Sequence, residues 1–85
     1  MHHLMQQKII EIILRELNIE GIGAENLDGD LNLVDELGID SMDLATVAVF
    51  IQDEFGIKFQ DEDYPLLTSV NAICECVLKK RGNNF

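Results

Sequence analysis

The residue with the most to offer chemically is Ser41, set in Leu37-Gly38-Ile39-Asp40-Ser41-Met42-Asp43-Leu44. No histidine, cysteine or lysine lies close in sequence to make its hydroxyl a nucleophile. The hydrolase pattern is missing as well: the only histidines are His2 and His3, and there is no Gly-x-Ser-x-Gly elbow. Ser41 therefore reads as a point of attachment. Asp40 has the side chain of a helix N-cap, and Asp43, three residues on, occupies the capping-box position. Ser41 becomes the first helical residue, with its hydroxyl at the positive end of the helix dipole, where a phosphodiester is favoured. The alternative from these few residues alone is an ordinary helix start, since Asp-Ser is common there.

The elements that must hold this serine are helical. From Ser41 to Phe55, Leu44, Val47, Ala48, Ile51 and Phe55 trace one apolar face. Met42, Ala45 and Val49 trace a second stripe, which is either more core or an exposed contact surface. Upstream, Ile9, Ile10, Ile13, Leu14 and Leu17 share a face over residues 4–17, closed by Asn18 and Gly21-Ile22-Gly23. Residues 18–38 form a long connection in which Leu27, Leu31, Leu33, Val34 and Leu37 are expected to pin the chain to the core. A connection of that length is functional or hides a short helix. Downstream, Gly56 stops the helix and Ile57 and Phe59 return to the interior. Asp61-Glu62-Asp63 opens a short helix that ends near Leu67, with Pro65 tolerated only in its first turn. Thr68 or Ser69 caps a last helix to about Lys80, with Val70, Ile73, Cys74, Val77 and Leu78 inward and Lys79, Lys80 and Arg81 at its negative end. The expectation is an all-α four-helix bundle, three main helices and a short third, as a single domain over 1–85 with its core over about 4–80 and a frayed tail over 81–85.

Charge is the other strong signal. Sixteen acids against six bases give −10, and twelve of those acids lie between Glu25 and Asp63 with Lys58 as the only base. Such a field repels nucleic acid and anionic membrane surfaces. It steers basic protein surfaces toward Ser41, and Asp43, Asp53, Glu54 and Asp61 are the candidate docking acids. The start lacks the order of a signal peptide and no apolar run is long enough to span a bilayer, which favours the cytoplasm. Cys74 and Cys76 point to different helix faces and suit free thiols, one in the core and one nearer the surface. Asp28, Asp30 and Asn32 imitate half of an EF-hand loop, but Leu33 replaces the required glycine and Ile39 the required glutamate. The histidines and cysteines likewise fall short of a metal site, so no intrinsic metal is expected.

Residues 33–59 carry a leucine and acids before Leu37-Gly38-Ile39-Asp40-Ser41-Met42, an apolar helix, Asp53-Glu54, then Phe55-Gly56-Ile57. With Asp61-Glu62-Asp63 and Thr68-Ser69-Val70, this strongly resembles the acyl carrier proteins over most of residues 5–78. The resemblance implies a non-catalytic carrier: 4′-phosphopantetheine, taken from coenzyme A, is esterified to Ser41, and its thiol holds an acyl group as a thioester. It implies a phosphopantetheinyl transferase as partner, with the acid matching Asp40 helping to hold that enzyme's Mg²⁺. It also implies acyl-loading and acyl-processing enzymes with basic docking surfaces, met through Met42, Ala45 and Val49, for a monomer serving fatty-acid, polyketide or related lipid synthesis. The chain departs from the fatty-acid carriers at Thr46 and Gln52, where acids are frequent, and at bulky Phe50. An aminoacyl load, as in D-alanyl or peptidyl carriers, and a small acidic ion- or protein-binding module are the competing readings. The wealth of Ile, Leu and Val suggests an interior that parts for the load, each buried methylene contributing about 0.8 kcal/mol.

Overall fold

The computed structural model describes residues 3–17 and 27–82. The apolar periodicity of the first segment becomes α1 (His3–Leu17). Its inner face is Ile9, Ile10, Ile12 and Ile13, all buried, while Leu14 and Leu17 are half-buried. Ile12 was not expected inside. It is buried because both α3 (Ser41–Phe55) and α4 (Val70–Gly82) pack against α1, so the covered arc exceeds one stripe. From α3 come Leu44, Val47, Ala48 and Ile51, and from α4 Val70, Ile73, Cys74 and Val77. Full burial of each large aliphatic side chain contributes roughly 1.5–3 kcal/mol. Cys74 lies in that core and Cys76 is half-buried; both are free thiols, and burial pushes both upward in pKa.

Two short segments join the long helices. Within the connection lies α2 (Leu33–Leu37), capped by Asn32, whose side-chain oxygen accepts from the N–H groups of Val34 and Asp35. The hidden helix is therefore real. Leu27 and Leu33 are buried and Leu31 and Leu37 half-buried, but Val34 is 46% exposed. Val34 departs from expectation because one turn of helix presents only one face to the core, and Leu33 takes it. The closing signals Asn18 and Gly21-Ile22-Gly23 lie outside the described residues.

The segment Asp61–Leu66 is a 3₁₀ helix, not an α-helix. Pro65 is its fifth residue, beyond the first turn, and has no N–H for an α-type bond. The tighter pattern survives through the bonds from the Asp63 N–H to the Gln60 carbonyl and from the Leu67 N–H to the Tyr64 carbonyl. Tyr64 sets its ring edge-on to buried Phe59, with centroids 6.3 Å apart. Ser69, not Thr68, caps α4: its hydroxyl accepts from the Ala72 N–H. Helix α4 also runs past Lys80 to Gly82, with the cationic last turn in place against its dipole. Among the described residues no helix is long and apolar enough to cross a membrane.

Candidate functional site

Ser41 is delivered by a chain of local constraints. Helix α2 ends at Gly38, which adopts φ 70°, a left-handed conformation that costs a residue with a Cβ. The Gly38 N–H donates to the Val34 carbonyl and the Ile39 N–H to that of Leu33. Ile39 is buried, so the turn has a hydrophobic nail beside its glycine. Asp40 then takes extended backbone geometry and caps α3, its carboxylate accepting from the Asp43 N–H at 2.9 Å. The reciprocal half of a capping box at Asp43 is not formed. The return bond appears at the 3₁₀ helix instead, where the Asp63 carboxylate accepts from the Gln60 N–H at 2.7 Å.

Ser41 is exposed, the first residue of α3. It lies at the mouth of an open groove of about 740 Å³ between α2, α3 and the 3₁₀ helix. The groove is walled by Val34, Leu44, Ala45, Tyr64, Pro65 and Leu67, with Asp61 and Thr68 at its edge. Among the described residues no histidine, lysine or cysteine lines it, and its one charged group is the Asp61 carboxylate. The N–H groups of Ser41 and Met42, in the first turn, find no acceptor among the described residues. A phosphodiester on Ser41 would meet those two donors at the positive helix end, and an arm leaving it would meet apolar walls. The residues fit the group.

The other expected site residues divide by place. Met42 is 78% exposed and Val49 53%, and Ala45 is exposed beside them; this stripe is not core. Asp43 is half-buried, Asp53 exposed, and Asp61 exposed on the groove's rim. Glu54 is engaged by Lys8 of α1 at 3.2 Å, a solvated pair worth under about 1 kcal/mol. Gln52 has a structural task that an acid there would perform with an added charge: its side-chain oxygen accepts from the Phe59 N–H at 2.7 Å, tying the turn after α3 back to the helix. Sequence reasoning missed Val34, Tyr64, Pro65 and Leu67 as groove walls. They come from segments with no shared period, so no pattern could join them. The mock EF-hand dissolves into other roles, with Asp28 accepting from the Asp30 N–H and Asn32 serving as a cap. No group of three metal-ligating side chains is gathered among the described residues.

The geometry is that of an exposed serine at the head of a helix, beside a groove with apolar walls. The family model for the phosphopantetheine attachment site matches residues 7–77, and the chain belongs to that family. It bears 4′-phosphopantetheine as prosthetic group and is acted on by a phosphopantetheinyl transferase and by enzymes that handle its load. The chain is similar to acyl carrier proteins of Solidesulfovibrio magneticus, 34% identical over 76 residues and covering 89% of this chain and 94% of that protein. That of Nitratidesulfovibrio vulgaris strain Miyazaki F is 36% identical over 77 residues, covering 91% and 97%. That of Thermotoga maritima is 32% identical over 75 residues, covering 88% and 89%. Among solved structures, an acyl carrier protein from Enterococcus faecalis superposes with a TM-score of 0.69 at 24% identity, covering 88% of this chain and 96% of that one, which shows the shared fold.

Proposed function

We propose that Ser41 is the attachment residue, and that the chain carries acyl groups for fatty-acid, polyketide or related lipid synthesis as a single-domain monomer in the cytoplasm. The observation that carries this is the exposed Ser41 hydroxyl opening onto a groove with apolar walls. When attached, the arm supplies a thiol that holds the load as a thioester. The chain's own residues do the rest. Asp40 holds the helix end and offers its carboxylate to the metal of the transferase, which must bring the base that takes the Ser41 proton. The Ser41 and Met42 N–H groups would supply hydrogen-bond donors to the phosphodiester. Leu44, Ala45, Pro65 and Leu67 favour an acyl load over an aminoacyl one, since a charged amine gains nothing from those walls. Met42, Ala45 and Val49, flanked by Asp43, Asp53, Glu54 and Asp61, meet successive enzymes through weak, salt-sensitive docking.

The test is mass spectrometry after incubation with coenzyme A and a broad-specificity transferase. The wild type gains one phosphopantetheine, mapped to the Ser41 peptide, and Ser41→Ala gains none. A wild type that stays unmodified, or a Ser41→Ala variant that is modified, overturns the assignment.

A further inference from the structure

A side chain on α4, far along the sequence from Ser41, ties together the segments that present it. Asn71 uses three groups at once. Its backbone N–H donates to the Gly29 carbonyl at 2.9 Å. Its side-chain amide donates to the Asp30 carboxylate at 2.7 Å. Its side-chain oxygen accepts from Gln6 of α1. Gly29 lies directly against the clasp: a Cβ there would fall 2.5 Å from the Asn71 side-chain oxygen and would push it aside. Just before α4, the Thr68 carbonyl accepts from the Leu33 N–H at 2.8 Å, which fixes the first residue of α2. Thr68 and Val34, the residue after Leu33, both line the Ser41 groove. The Asn71 clasp thus seats the connection on α1 and α4, and α2 hangs from that seat with Gly38, Asp40 and Ser41 directly behind it.

We infer that Asn71 is a positioning residue for modification of Ser41: it holds α2 where the transferase needs it, without touching the serine. This rests on the attachment reading above. With the clasp loosened, α2 and the turn after it spend part of their time in arrangements that do not dock. Apparent affinity falls by the competent fraction, while the rate within the docked complex does not change. The signature is a raised KM with an unchanged kcat.

The experiment uses the full chain with coenzyme A and a broad-specificity transferase. Asn71→Asp sets a second carboxylate against Asp30. The paired exchange Asn71→Asp with Asp30→Asn restores one donor and one acceptor in reversed order and still leaves Gln6 an oxygen. Asn71→Asp is expected to raise KM for the protein about fivefold, from the loss of the hydrogen bond to Asp30 and the repulsion between two carboxylates, with kcat within about twofold of wild type. The paired exchange is expected to recover most of that. Hydrogen exchange at residues 33–38 should quicken in Asn71→Asp and slow again in the pair. Ile73→Val, which thins the core on the same helix, is the control that lowers the melting temperature without moving KM. An Asn71→Asp variant with wild-type KM and wild-type exchange refutes the inference, and so does an Ile73→Val variant that raises KM equally. If the wild type itself is not modified, the attachment reading fails separately, and exchange at residues 33–38 still decides whether the clasp holds α2.

Discussion

Asp40 is asked to do two things, and two substitutions separate them. Its carboxylate caps α3 through the 2.9 Å bond from the Asp43 N–H, and its charge faces the positive end of the helix dipole. Alanine removes both. Loss of the cap costs about 1 kcal/mol and loss of the charge about 0.3–1 kcal/mol, so about 1.5 kcal/mol in all. In a domain of this size each kcal/mol moves the midpoint by about 4–8 °C, so Asp40→Ala should melt roughly 6–12 °C below wild type. Asparagine caps as well as aspartate and loses only the charge, partly offset by relief of repulsion from Asp43. Asp40→Asn should therefore melt within about 4 °C of wild type. Modification behaves differently. If the carboxylate helps hold the transferase's metal, both variants should slow by about 10²-fold, a ratio equal to roughly 2.7 kcal/mol of lost transition-state stabilisation. The assays are calorimetry on each variant and a time course of phosphopantetheine addition by mass spectrometry. Asp40→Ala melting with the wild type refutes the capping argument. Asp40→Asn modified at the wild-type rate refutes the metal role and leaves Asp40 as a cap alone.

Three further outcomes follow from the same geometry. The Asp63 carboxyl is held below its ordinary 3.8 by the Gln60 N–H and then by Lys80, and Lys80 is held above its ordinary 10.5 by Asp63 at 2.7 Å. The Asp63 share of stability is present above about pH 4 and is lost as pH falls through its folded value; the Lys80 share is present below about pH 10 and is lost as pH rises through its own. A double-mutant cycle with Asp63→Asn and Lys80→Met should give a coupling of about 1 kcal/mol, flat between those limits and fading beyond each, and urea unfolding over the pH range measures it. Met42→Glu, on the exposed stripe, should leave the melting temperature within about 2 °C of wild type and weaken docking to an acyl-processing enzyme by about tenfold or more, read by titration calorimetry. Finally, if the load lies against the apolar walls beside Ser41, thioesters of increasing chain length should raise the melting temperature stepwise, since each covered methylene contributes up to about 0.8 kcal/mol; a midpoint independent of length removes the groove from the account.

Much of the fold was legible in the chain because the helices announce themselves locally. Ile9, Ile13, Val47, Ile51, Ile73 and Val77 recur at helical spacing and are buried as that spacing requires. Gly38, Asp40 and Gly56 mark the ends of helices by backbone conformation and capping chemistry, which depend on neighbours in sequence. The 3₁₀ geometry was less legible, because Pro65 forbids an α-type bond without saying which alternative the chain takes. The reach of the core to Ile12 and the exposure of Val34 depend on which helix lies opposite, and periodicity is silent on that.

The serine, the absence of a histidine, cysteine or lysine near it in sequence, the cap before it and the acids around it were determined by the order of residues alone, since each acts over a few residues or through net charge. The groove was decided only in three dimensions. Its walls are drawn from α2, α3 and the 3₁₀ helix, and the seat of α2 depends on Asn71, which meets Gln6, Gly29 and Asp30 across long stretches of chain. Contacts of that kind have no period and no local signature, because they form only after the helices have packed and brought unrelated residues within hydrogen-bonding range.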